Sequence, residues 1–277
     1  MYEMSVNNAG DIKVFNKSNL DHYLYEFAKT YRKLAGRKAP GIEIILIGGA
    51  AIIENYSFRN ETLDVDALMT PSSIIKEAIL KVAEMNNLPA DWLNSDFVNT
   101  ASYSPKLIQY SEYYKTFYGV LDVRSIRAEY LIAMKLCSGR RYKHDLSDVI
   151  GILLEHRRNH NDITYDMVDK AVNDLYNSWD KFPNGIQEQF RQIVESKELF
   201  SLFDQTKSGE ASTKAFLLAF EEKYPGVLKS ENVNEVIRDA NNTSSLRKKL
   251  EALQAKQDAK PAGQTAQTVN KNDKVQE

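Results

Sequence analysis

One stretch of the sequence decides the fold: Ile42–Met69 reads IEIILIGGAAIIENYSFRNETLDVDALM. Its first part, Ile42–Ile47, is a short apolar run that is rich in isoleucine and is followed by Gly48-Gly49. Such a run bounded by glycine indicates a buried strand. A helix-like segment, Ala50–Tyr56, comes next, and a second apolar run follows it. The pattern therefore predicts a strand, a helix and a second strand in close succession.

The Gly48-Gly49 pair stands between the first strand and the helix. Glycine lets the backbone come close to a bulky ligand because it has no Cβ. The N–H groups that open a helix can face a phosphate. Gly48 and Gly49 are therefore candidate nucleotide-binding residues, and a plain turn is the alternative.

Two carboxylates occur in the second apolar run, with one residue between them. Alternation along a strand places Asp64 and Asp66 on the same face. The residues beside them are predicted to point the other way, into a core: Leu63, Val65 and Ala67. Two carboxylates on one face repel each other unless a cation lies between them. Mg²⁺ suits such a place because it binds one or two carboxylates together with substrate phosphates. Two solvated aspartates are the alternative.

The composition is that of an ordinary globular protein, with 277 residues, 43% hydrophobic and 27% charged, which allows one large domain or two small ones. A net charge of −2 and a pI near 6.2 give no overall basic field that would point to nucleic acid. The single cysteine, Cys137, excludes an intrachain disulfide and fits a reducing compartment. No apolar signal core and no run of bilayer length occur. We therefore expect a soluble cytoplasmic protein with no membrane partner.

Three segments together resemble a known superfamily. They are LIGGAAIIENYSFRNETLDVDALM, LPADWLN at Leu88–Asn94, and EYLIAMKLCSGRRYKHDLSDVIGIL at Glu129–Leu153. A Gly-Gly turn that opens a helix, followed by Asp-x-Asp on the next strand, resembles the nucleotidyltransferase superfamily of the polymerase-beta type. Within it, the chain is most similar to the DUF6036 family of nucleotidyltransferase-like proteins related to the AbiEii toxins. The resemblance spans roughly Ile42–His156.

The resemblance implies an α/β (α+β) fold with a small mixed sheet flanked by helices and a C-terminal helical extension. It implies transfer of a nucleotidyl group from an NTP to an acceptor hydroxyl, with Asp64 and Asp66 as catalytic ligands of Mg²⁺ or Mn²⁺. RNA, especially tRNA, is suggested as the acceptor by the toxin relatives of toxin–antitoxin or phage-defence systems. A protein or a small molecule is an equally compatible acceptor. The alternatives are a catalytically silent module that binds a nucleotide or a partner, and an antitoxin or regulatory subunit.

A later motif contains the candidate cations, on and after a predicted helix that Gly139 ends. Lys135 alone would be expected to extend its ammonium to the surface, so that its removal would cost little stability. The resemblance implies instead that Lys135 holds a triphosphate oxygen, helped by Arg140 or Arg141. It also implies an active-site role for Asp145, as base or ligand, although a carboxylate is favourable at a helix start in any case. Asp148 is expected to support the basic groups.

Two further residues have open interpretations. Asp122 lies at the apolar end of a predicted strand, Lys115–Val123. In many nucleotidyltransferases a third carboxylate arrives on a later strand, so Asp122 is a candidate catalytic base or metal ligand. A surface residue at a strand end is the alternative. Trp92 is expected to belong to the core, with base stacking as the alternative.

The domain organisation follows from turn and composition signals. Pro183-Asn184-Gly185 is the clearest boundary. We predict a nucleotidyltransferase-like domain over 1–182, a helical extension over 183–257 and a disordered tail over 258–277. The extension is predicted to contain four helices: Ile186–Phe203, Ser212–Tyr224, Glu231–Ala240 and the charged Ser245–Lys256. It is expected to cover the mouth of the site or to bind a partner, such as a cognate antitoxin.

Overall fold

The structure is a computed structural model that describes residues 13–36, 38–140, 142–229 and 232–239. Contacts group the chain into two compact units, one over 5–215 and a smaller one whose described residues begin at 216. This division differs in place from the predicted boundary after residue 182, which stays a prediction. The predicted helix Ser245–Lys256 and the predicted tail, 258–277, lie outside the described residues.

In the described part of the chain, five strands form one mixed sheet of the first unit: β1 (Ile42–Leu46), β2 (Val65–Met69), β3 (Leu93–Asn94), β4 (Ser111–Phe117) and β5 (Leu121–Ile126). Their order across the sheet is β3-β2-β1-β5-β4. β1 pairs antiparallel with β2 and parallel with β5, so it lies at the centre. Its last three residues, Ile44, Ile45 and Leu46, are buried as the isoleucine-rich run predicts.

The helices of the described residues flank this sheet or follow it in the chain: α1 (Lys17–Ala35), α2 (Gly48–Asn55), α3 (Ser73–Asn86), α4 (Ala128–Ser138), α5 (Asp145–Arg158), α6 (Tyr165–Tyr176), α7 (Ile186–Glu195), α8 (Leu199–Lys223) and α9 (Val233–Asp239). Helix α4 ends at Gly139, whose φ of +55° is left-handed, as predicted. The predicted α/β fold, with a small mixed sheet flanked by helices and a C-terminal helix, is confirmed.

Two predictions about element boundaries are wrong. The predicted strand Lys115–Val123 is a hairpin, because the chain reverses at Tyr118 and Gly119, where φ is +49° and +60°. The predicted helix Ile186–Phe203 is broken, because Ser196 takes an extended conformation between α7 and α8. The residues predicted as a separate helix from Ser212 onward continue α8 instead.

Two predictions about the core have opposite outcomes. Trp92 is 1% exposed, stacks on Phe15 and donates its indole N–H to Ile79 O at 3.2 Å, so its predicted place in the core is confirmed. Leu63 was expected in the core but is 54% exposed. The reason is that β2 begins only at Val65, so Leu63 belongs to the preceding loop and strand alternation does not apply to it.

The second unit contains the end of α8 and all of α9. Its own small core is formed by buried apolar residues: Leu217, Phe220, Val227, Val233 and Val236. A membrane span would need a long and apolar helix, and none of the helices in the described ranges meets that requirement.

Candidate active site

The turn between β1 and α2 lies directly beside β2. The N–H of Ile47 donates to the carbonyl oxygen of Asp66 at 3.1 Å, which ties the start of α2 to the strand. Gly48 has a φ of +57°, a conformation that favours glycine. A Cβ built on Gly48 would lie 3.2 Å from Asp66 Oδ2. The backbone at Gly48 therefore packs against the carboxylate of Asp66.

Gly49 faces a different part of the protein. A Cβ on Gly49 would lie 2.3 Å from Thr62 Oγ1 and 3.1 Å from Arg59 Nη2. Both atoms belong to the loop that leads into β2. Gly49 is thus required for the packing of that loop on α2, and the expectation that it faces a ligand does not fit its position.

The two aspartates differ in their environment. Asp64 is exposed just before β2, whereas Asp66 is partly buried within the strand. Burial, and then the charge of Asp64, raise the pKa of Asp66 to about 6, although Lys143, Arg140 and Lys135 act in the opposite direction. The two carboxylates are therefore close enough to repel each other, and three cations are near enough to lower the pKa of Asp66 in part.

A cavity of about 400 Å³ lies over this end of the sheet. Five of the residues predicted for the site line it: Gly48, Asp64, Asp66, Lys135 and Arg140. Lys143 lines it as well, and sequence analysis left it out of the site although it belongs to the basic loop after α4. The cavity thus has three cations and four carboxylates in its wall, since Asp91 and Asp96, which sequence analysis also left out, line it together with Asp64 and Asp66.

Lys135 is buried and paired with two carboxylates. Its ammonium lies 3.0 Å from Asp145 Oδ1 and 2.8 Å from Asp148 Oδ2. Burial lowers the pKa of Lys135, but the attraction of Asp148 and Asp145 outweighs it and the net change is upward. Lys135 is therefore charged, and the interpretation that it extends to the surface is wrong.

Asp145 is surrounded by donors. It is 2% exposed and accepts from Lys135 and from the backbone N–H, Nε and Nη2 of Arg140, the last three at 3.1, 2.9 and 3.2 Å. Burial raises the pKa of Asp145, but Lys135 and Arg140 together hold it well below its usual range. A carboxylate so firmly ionised is a poor base. Asp145 does not line the cavity, so its contacts fit a residue that positions Lys135 and Arg140.

Asp148 connects Lys135 to a residue that sequence reasoning missed. Nη1 of Arg59 lies 2.8 Å from Asp148 Oδ2, and Nε of Arg59 donates to Glu61 O at 3.0 Å. Asp148 contacts both Lys135 and Arg59, which is the position expected of a residue that supports the basic groups. No local signal marks Arg59, because its partner is 89 residues away in the chain.

The loop that contains Arg59 makes further contacts with α5. The hydroxyl of Ser57 donates to Glu155 Oε2 at 3.0 Å. The ring of Phe58 packs on Gly151 so closely that a Cβ there would lie 2.6 Å from it. Helix α5 therefore positions the loop that leads to Asp64 and also the carboxylates that hold Lys135.

Two predicted site residues do not join this group. Asp122 is exposed at the start of β5, opposite Glu43 of β1, and accepts from the hydroxyl of Thr116. Because β1 and β5 are parallel, Gly48 follows the opposite end of the sheet. The expectation that Asp122 completes the acidic set is therefore corrected. Arg141 lies outside the described residues, and its role stays a prediction.

The mixed sheet, the glycine turn and the adjacent pair of aspartates define a nucleotidyltransferase-like domain. Residues 22–187 match the family model described as "Nucleotidyltransferase of unknown function (DUF6036)", and since the match covers more than half of the chain, the chain belongs to this family. The family predicted from the sequence is thus confirmed. Neither a curated protein nor a solved structure matches the chain.

Proposed function

We propose that this chain is a nucleotidyltransferase that moves a nucleotidyl group from an NTP to an acceptor hydroxyl, with Mg²⁺ or Mn²⁺. One observation carries the proposal: Asp64 and Asp66 line the same cavity as Lys135, Arg140 and Lys143. A polyphosphate with its metal ion needs both kinds of group, since carboxylates bind the metal and cations bind the phosphate oxygens.

The carboxylates suit a metal that arrives with its substrate. Within the described ranges, no three His, Cys, Asp or Glu side chains are grouped so that they could hold a metal ion. Mg²⁺ does not need such a group, because it takes one or two carboxylates and completes its shell with water and substrate phosphates. The raised pKa of Asp66 indicates that its negative charge is incompletely compensated by the protein. When bound, the metal would stabilise the charge that develops on the phosphoryl oxygens.

The cations would hold the triphosphate. Arg140 is oriented by its contacts with Asp145, so its remaining donors are presented in a fixed direction. An ammonium has three N–H donors, and Asp145 and Asp148 engage two of those of Lys135. We propose that Arg140 and Lys143 contact the phosphates directly and that Lys135 adds its charge and its third donor.

The glycine turn and the aspartates would orient the reacting groups. The absence of a side chain at Gly48 lets a phosphate approach the backbone beside Asp66. The acceptor oxygen would form a bond to the α-phosphorus as the bond to the pyrophosphate oxygen breaks. The acceptor proposed is RNA, in particular tRNA, as the toxin relatives of the family suggest; a protein or a small molecule is an equally compatible acceptor.

The experiment is incubation with each NTP, labelled at the α-phosphate, in the presence of Mg²⁺ and total cellular RNA, protein or small-molecule extract. We expect label in one of the three pools and none when the label is at the γ-phosphate, since pyrophosphate leaves. The Asp64→Asn/Asp66→Asn double variant is the control and should transfer nothing.

Other outcomes would favour the alternatives. Nucleotide binding that is independent of Mg²⁺, without transfer, would indicate a catalytically silent module. Comigration with the product of a neighbouring gene, again without transfer, would indicate an antitoxin or regulatory subunit.

A further inference from the structure

A carboxylate of the long helix α8 is buried against the start of α5. Glu210 is 6% exposed. Its Oε1 accepts from the backbone N–H groups of Leu146 and Ser147 at 3.0 and 3.2 Å, and its Oε2 accepts from the hydroxyl of Ser147. All of these atoms belong to the first unit of the chain.

These contacts replace a helix cap. Leu146 and Ser147 are the second and third residues of α5, and the first N–H groups of a helix have no partner within it. His144 occupies the N-cap position but makes no capping hydrogen bond with its side chain. Glu210 therefore supplies from another helix the acceptor that a capping residue would supply locally.

The same turn of α5 contains the carboxylates that hold the cations. Asp145 immediately precedes Leu146, and Asp148 immediately follows Ser147. A change in the rotation or the order of this turn would move both carboxylates together. The ammonium of Lys135 and the guanidinium of Arg140 are held by them, so they would move as well.

We propose that Glu210 is a positioning residue for the cation cluster formed by Lys135 and Arg140. Its carboxylate fixes the first turn of α5 and thereby presents the two cations to the triphosphate. The inference rests on the proposed function, since the triphosphate is the ligand that the cluster would bind. Glu210 lies beyond residues 22–187, so it assigns a role at the site to a part of the chain outside the family match.

The test is titration with NTP–Mg²⁺ and, separately, with the corresponding nucleoside, which has no phosphates for the cations to contact. The variants are Glu210→Ala, Glu210→Asp and Glu210→Gln. Aspartate keeps the charge but is one methylene shorter, so it cannot reach both N–H groups, whereas glutamine keeps the length and an accepting oxygen. Asp204→Asn is the matched control, because it removes an exposed carboxylate from the same helix.

We expect Glu210→Ala to raise the Kd for NTP–Mg²⁺ about tenfold, on the order of one charge-assisted contact, and to leave the nucleoside Kd unchanged. Glu210→Asp should lose severalfold in affinity for NTP–Mg²⁺, and the affinities of Glu210→Gln and Asp204→Asn should stay near that of the wild type. A merely structural role would give a different result: it would lower the number of binding sites per chain without changing Kd.

The outcomes separate the two proposals. If the wild-type protein does not prefer NTP over nucleoside, the proposed function fails. If it does, and Glu210→Asp and Glu210→Ala keep that preference in full, only the role of Glu210 is overturned. Should Glu210→Ala not fold, the comparison of the aspartate and glutamine variants decides in the same way.

Discussion

Arg59 Nη1 lies 2.8 Å from Asp148 Oδ2, and this contact joins the two sides of the cavity. Arg59 belongs to the loop that leads to Asp64 and Asp66, while Asp148 also holds Lys135 at 2.8 Å. The loop that leads to Asp64 and Asp66 and the ammonium of Lys135 are therefore both held by one buried carboxylate, that of Asp148. Helix α5 sets the position of both sides, so a change at its first turn should be felt throughout the site.

The aspartate pair gives the first prediction. Asp64→Asn and Asp66→Asn should each abolish transfer and Mg²⁺-dependent NTP binding, because an amide is a much weaker metal ligand than a carboxylate. The fold should be kept, as judged by circular dichroism and the melting temperature. Asp122→Asn is the matched control and should behave as wild type, since Asp122 lies at the other end of the sheet. Wild-type turnover in either of the first two variants would contradict the assignment of the metal ligands.

The two adjacent glycines should respond differently to alanine. Gly48→Ala should lose about 1 kcal/mol of unfolding free energy from its positive φ and should also weaken NTP–Mg²⁺ binding, because the new Cβ would stand beside Asp66. Gly119→Ala is the control: its φ of +60° gives the same backbone cost, but no atom lies within 4 Å of the new Cβ. It should therefore bind normally.

Gly49→Ala should act mainly on stability. Its Cβ would meet Thr62 Oγ1 at 2.3 Å, and overpacking of this kind costs about 1–3 kcal/mol. Urea denaturation would measure the loss. A Gly49→Ala protein with wild-type stability but no NTP binding would show instead that this glycine faces the ligand.

Lys135→Met should be strongly destabilising, in contrast to the small effect that the sequence alone suggested. Removal of the ammonium leaves Asp145 and Asp148 buried with one cation fewer, and breaking a buried pair costs about 3–5 kcal/mol. Lys76→Met, at an exposed position of α3, is the control and should change the unfolding free energy by less than about 0.5 kcal/mol. Equal melting curves for all three proteins would mean that the pairing of Lys135 does not stabilise the fold.

The stability of the protein should depend on pH through Glu210. Burial raises the pKa of this carboxyl from its ordinary 4.5 to about 7, although Ser147 and the backbone N–H of Leu146 lower it. The folded state then binds the proton more tightly than the unfolded state, so the contribution of Glu210 to stability is greatest below pH 4.5 and is lost as the pH rises to 7.

Glu210→Gln cannot titrate and serves as the reference. The difference in unfolding free energy between wild type and Glu210→Gln should fall by up to about 3 kcal/mol between pH 4.5 and 8. Denaturation of both proteins at several pH values would measure it, and the effects of the neighbouring His144 and Asp148 should largely cancel in the difference. Parallel stability curves would contradict the raised pKa.

The sequence by itself determined the centre of the fold. The isoleucine-rich run, Gly48 and the spacing of Asp64 and Asp66 are local patterns, and such patterns fix a buried strand and a glycine turn. The predicted strand alternation applies only to Asp66, because Asp64 lies just before β2. The local patterns sufficed to predict a strand, a helix and a second strand in succession, and the motifs in them carry the resemblance that implied the mixed sheet and the family. They could not show that Asp122 lies at the far end, because this depends on the parallel pairing of β5 with β1.

Only the tertiary structure decided how the charges are paired. Lys135, Asp145 and Asp148 stand in the sequence as separate candidates, but the packing of α4 on α5 makes them one buried network. In this network the contacts of Asp145 fit a residue that positions Lys135 and Arg140 better than they fit a base. Arg59 and Glu210 reach this network from a loop and from a helix 63 or more residues away in the chain. A contact between such distant residues leaves no periodic trace in the sequence, because it is created by the packing of the elements and not by the conformation of either one.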